Sequence, residues 1–85
     1  MNLSVDERLQ FQYLLPAQGD FKTLELVESI FNKLHIKDMT EEEKDFVFKK
    51  EEISLLKESI RVLDRNHKLP LQALSVIRKI MEEPL

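Results

Sequence analysis

The sequence contains no cysteine. Disulfides and thiolate–zinc sites are therefore excluded as staples. Glycine occurs once and proline three times, which is too little turn chemistry for an all-β fold built from many hairpins. No apolar run approaches the roughly 18 residues of a membrane span. The first residues carry Asp6 and Glu7 instead of a basic-then-apolar export pattern, so the expected location is the cytosol. Cationic residues are outnumbered: 13 Lys and Arg stand against 16 Asp and Glu, giving a net charge of −3 and a pI near 5.4. Binders of nucleic acid that ignore sequence rely on cations displacing counterions, so this balance argues against that class.

What is present is a mixture of 42% hydrophobic and 34% charged residues, the pattern of a soluble helical domain and not of a disordered chain. At 85 residues the chain is read as one domain over residues 1–85. A domain this short buries only about 60–65% of its unfolded surface. Its apolar core, helped by a second copy of the chain, has to supply the stability.

The clearest helical period lies in Phe21–Ile36. Leu24, Leu26, Val27, Ile30, Phe31 and Leu34 fall within an arc of roughly 160° at helical spacing. So wide an apolar face predicts the central helix of a bundle. Before it, Ser4-Val5-Asp6-Glu7 fits a capping box, and a first helix runs to about Leu15, where Pro16 disfavours helix at the preceding residue. That first helix has two apolar faces, Val5–Leu9–Tyr13 and Phe11–Leu14–Leu15. Either the short helix is wedged into the core with one or two apolar residues left exposed, or one face packs inward and the other meets a partner, with Phe11, Leu15 and Phe48 as the candidate contact surface. The turn Pro16–Asp20 holds Gly19, expected at positive φ, and Asp20, a good N-cap.

Thr40-Glu41-Glu42-Glu43 is a second capping box and predicts a short third helix ending around Phe46 to Phe48. The composition of Phe46-Val47-Phe48 also allows an extended stretch or a hairpin across Val47–Leu55. Ile53, Leu56, Ile60 and Leu63 then mark a fourth helix, widened by Leu55 and Val62, with Ser59 inside its apolar arc. Pro70 starts the last helix, whose face is Ala73, Leu74, Val76, Ile77, Ile80 and Met81. The predicted fold is all-α: a compact bundle of four main helices plus one short one. Its short connections favour mostly antiparallel neighbours.

Chemistry is sparse in this pattern. His35 and His67 each close a helix, where an imidazole can cap carbonyls, and no His-x-x-x-His or Glu-x-x-His spacing supplies a metal site. The serines lack a nucleophile-elbow context. No enzyme activity, cofactor or metal is expected. One surface feature points to a second class of function: Lys57, Arg61, Arg65 and Lys68 share a stripe of the fourth helix, within roughly 80°, suited to nucleic-acid phosphates or an acidic protein. The leading expectation is an interaction protein that self-associates; a nucleic-acid-binding accessory factor is the alternative.

Glu7-Arg8-Leu9, Leu14-Leu15-Pro16, Gly19, Thr23-Leu24 and the Thr40–Glu43 cap together resemble small helical proteins encoded in bacteriophage and prophage genomes. The resemblance covers residues 7 to 43. It implies an accessory or structural protein of a phage or prophage, located in the host cytosol, and carries no residue roles with it.

Overall fold

A glutamate at the third position of a helix can reach back to the N–H that precedes that helix, and two helices of this chain begin that way. The computed structural model describes residues 1–16, 18–34 and 44–84. Strand β1 is Asn2–Leu3, followed by helix α1, Val5–Leu14. The expected capping box opens α1: the Ser4 hydroxyl accepts from the Glu7 N–H at 3.2 Å, and Glu7 Oε1 accepts from the Ser4 N–H at 3.0 Å. Helix α2 is Phe21–Leu34, begun by Asp20, whose carboxylate accepts the Thr23 N–H at 2.7 Å. Strand β2, Lys44–Asp45, pairs antiparallel with β1, with Asn2 opposite Asp45 and Leu3 opposite Lys44. Helix α3 is Lys50–Arg65, and Glu52 reaches back to the Lys49 N–H at 2.7 Å. Pro70 precedes a 3-10 turn, Leu71–Ala73, which runs into helix α4, Leu74–Glu82.

The chain is thus mostly helical, with four α-helices among the described residues. Its radius of gyration is 12.1 Å, close to the roughly 12 Å expected of a folded chain this long. Extents of 32 × 28 × 24 Å rule out a rod.

Three expectations are corrected, and one alternative that the sequence left open is settled. The short third helix does not reach Phe46–Phe48: Lys44–Asp45 is strand and residues 46–48 are not helical, while Thr40–Glu43 lies outside the described residues, as does His35. The two strands are continued by Phe46, which exchanges N–H···O bonds of 2.8 Å with Met1 in both directions. A hairpin across Val47–Leu55 is excluded by α3, which starts at Lys50. The centre of the molecule is α3, not α2. Helices α1, α3 and α4 each pack on the other two, whereas α2 makes its broad contact with α3. Width of apolar face misled here, because Phe21 (80% exposed) and Leu24 lie on solvent and only Val27, Ile30 and Leu34 of α2 are buried. Finally, Gly19 does not take positive φ; a Cβ there would stand 3.4 Å from Thr23 Cγ2.

Among the described residues positive φ belongs to His67, at 55°. It closes α3 in a Schellman arrangement: the Lys68 N–H donates to Leu63 O at 2.9 Å and the His67 N–H to Asp64 O at 3.0 Å. Asn66 adds its side-chain amide on Val62 O at 3.0 Å. So His67 acts through its backbone, and its side chain is exposed. A left-handed conformation costs a residue with a Cβ about 1 kcal/mol, which glycine avoids. His67→Gly is therefore expected to raise stability by up to about 1 kcal/mol, or roughly 4–8 °C in Tm for a domain of this size, read by thermal circular dichroism.

Candidate functional site

Among the described residues four charged side chains are buried: Glu7, Arg8, Glu52 and Lys57. Removing an ion from water costs several kcal/mol unless it is paired and hydrogen-bonded, and each of these has partners. Among the described residues no buried side-chain nitrogen or oxygen lacks one.

Glu7 does more than cap α1. Its Oε2 accepts the Ser75 hydroxyl at 2.6 Å, and its Oε1 accepts Lys79 Nζ at 2.8 Å. Lys79 also donates to Asn2 O at 2.7 Å, tying α4 to β1. Glu52 repeats the device at the start of α3. Its Oε2 accepts the Ser29 hydroxyl at 3.0 Å, and its Oε1 accepts Lys33 Nζ as well as the Lys49 N–H. In both cases a serine and a lysine four residues apart, neighbours on one helix face, close on the capping glutamate of another helix. Burial pushes the Glu7 carboxyl up, but Lys79, Ser75 and the Ser4 N–H outweigh it and lower it to about 2. For Glu52 burial again raises, and Lys33, the Lys49 N–H and Ser29 bring the carboxyl below its ordinary value. With their lone pairs taken up in this way, both carboxylates hold helices together.

The predicted contact residues lie elsewhere than expected. Phe11 and Leu15 are buried. Phe48 is half-buried and stacks on Phe11 at 6.1 Å between centroids and on Phe46 at 6.4 Å. Phe46 also receives the Arg8 guanidinium at 5.6 Å. Phe11 is enclosed in the core and is withdrawn as a contact residue, Phe48 packs partly buried against that core, and Leu15, though buried, lines a groove between α1 and α3. The reason is chemical: of the two faces of α1, Phe11–Leu14–Leu15 is the one without a polar atom, and Tyr13 keeps its hydroxyl in water on the other.

The basic stripe is divided. Lys57 is buried and donates to Glu83 O, which withdraws it as a nucleic-acid contact. Arg61 and Arg65 are exposed, each 3.7 Å from Glu58. Lys68 is exposed beyond the helix end. The remaining field is weakened by that carboxylate.

The feature that sequence reasoning missed is a groove of about 230 Å³ between the end of α1 and the outer side of α3, lined by Tyr13, Leu14, Leu15, Pro16, Glu58, Ser59, Val62 and Leu63. Tyr13 (66% exposed) and Val62 (42% exposed) stand on it. The signal was available: Ser59 interrupts an apolar arc, and a small side chain there leaves the wall of α3 recessed. No family model, curated protein or solved structure matches the chain. No helix among the described residues is long and apolar enough to cross a membrane.

Both capping glutamates titrate lower in the folded chain than in the unfolded one, where Glu lies near 4.5. The contribution of Glu7 is full above about pH 5 and is lost as the pH falls towards about 2, and Glu52 adds to the loss in the same direction. For Glu7 alone the depression corresponds to roughly 3 kcal/mol. Urea melts at stepped pH should show stability falling across this window, and Lys79→Met should flatten the fall. A wild-type midpoint unchanged between pH 5 and pH 3 would contradict the assignment.

Proposed function

We propose that the protein is a non-enzymatic accessory protein acting by protein–protein contact, with a second copy of itself as partner. The groove between α1 and α3 carries this reading. Leu14, Leu15, Pro16 and Leu63 give it apolar walls, and Tyr13 and Val62 are exposed there. A tyrosine presents a large apolar ring at little conformational cost and keeps its hydroxyl at the wet edge. Glu58, Arg61 and Arg65 form an ion cluster beside it, a suitable polar rim. In a two-fold contact the same patch serves both copies, and Tyr13 of each would enter the groove of the other.

Two further parts of the reading go with it. The helices are arranged as a mostly antiparallel bundle, supported by the way the start of α3 is held by Ser29 and Lys33 in the later half of α2. The setting is the cytosol of a bacterial host, with the protein encoded by a phage or prophage, as the resemblance of its caps and turns suggests.

Sedimentation velocity from micromolar to submillimolar concentration tests the contact. Wild type is expected to dimerise. The double variant Tyr13→Lys, Val62→Lys should weaken the dimer at least about tenfold, as loss of a central aromatic anchor does, with helical circular dichroism unchanged. A wild type that stays monomeric throughout overturns the proposal.

A further inference from the structure

Helix α2 is attached differently from the rest. The other three helices enclose one another, while α2 lies broadly on α3. Its apolar contribution to the core is Val27, Ile30 and Leu34, with Phe21 and Leu24 on solvent and Leu26 and Phe31 half-covered. Its polar tether to α3 is the pair Ser29 and Lys33 on Glu52. Lys33 also lies 5.8 Å from the Phe48 ring centroid.

From this arrangement we infer that α2 is a detachable lid, latched by Ser29 and Lys33 on Glu52, which undocks as a unit from a core of the two strands, α1, α3 and α4. The energetics favour a separate opening. Glu52 is fully buried, and its charge is tolerable there because Lys33 offsets it. When α2 lifts, water reaches Glu52, and the carboxylate still caps α3 through the Lys49 N–H. Opening therefore leaves no stranded charge. It bares the face of α3 that carries Glu52, Leu55 and Leu56, which share a side at helical spacing. The equivalent latch on Glu7 cannot release one helix in this way, because α1 and α4 each also pack on α3. This inference is independent of the self-association proposed above.

Native-state hydrogen exchange tests it residue by residue. In wild type the α2 amides should exchange through an opening smaller than global unfolding, with lower protection than those of α1, α3 and α4. Lys33→Met, and more mildly Ser29→Ala, should speed exchange in α2 by about tenfold or more, as expected when a charged hydrogen bond is lost, with little change in the other helices. Lys79→Met serves as the contrast, and should act on α1 and α4 without singling out α2. Equal protection of α2 and α3 in wild type, or a Lys33→Met variant that loosens all four helices alike, would overturn the lid.

Discussion

Two buried carboxylates, each placed at the start of a helix, set the conditions that the rest of the fold meets. A glutamate at the third helical position satisfies N–H groups that no helical carbonyl can reach. Left exposed, such a cap is worth about 1 kcal/mol. Here the neighbouring helix covers the carboxylate and must bring cations and hydroxyls to it, because an uncompensated buried charge costs several kcal/mol. Glu7 obtains Lys79 and Ser75; Glu52 obtains Lys33 and Ser29. Local helix initiation and long-range helix pairing are thus the same event, which suits a chain with a small core and no disulfide.

Around these anchors the apolar packing centres on α3. Ile53, Leu56 and Ile60 of that helix are buried together with Phe11 and Leu14 of α1 and Val76, Ile77 and Ile80 of α4. Phe48 and Phe46 stack in series against Phe11, and the strand ladder fixes where Phe46 stands. The aromatic series links the residues just before α3 to α1.

Much of this was legible as local pattern. Ser4-x-x-Glu7, Asp20 before Phe21 and Pro70 before the last helix each name a helix start from side-chain chemistry alone, and the structure uses all three. The paired strands were not legible, because two residues are too few for an alternating pattern to register. Nor was the burial of Glu52 and Lys57: a charged residue is assigned to solvent unless its partner is seen, and the partners lie 19 to 26 residues away. A repeated spacing did carry part of the information. Ser29 and Lys33, like Ser75 and Lys79, stand four apart on one helix face, and each pair answers a glutamate at a helix start. The two-faced α1 offered no such mark, and only the hydroxyl of Tyr13 separated outside from inside.

The repetition raises a problem of pairing. Two helices carry the same Ser-x-x-x-Lys, and two others carry a capping glutamate, so exchanging partners would satisfy the same hydrogen bonds. Each lysine has a second neighbour that the other site does not provide. Lys79 donates to the carbonyl of Asn2, in the strand just before α1. Lys33 lies near the ring of Phe48, just before α3. A cation is held by a carbonyl through a directed hydrogen bond and by an aromatic face through a broader attraction. An exchanged lysine would give up its own second neighbour, and the ladder that positions Asn2 against Asp45 would have to form without the helix that braces it. Specificity in this chain therefore rests on what surrounds each ion pair, while the ion pairs themselves are interchangeable.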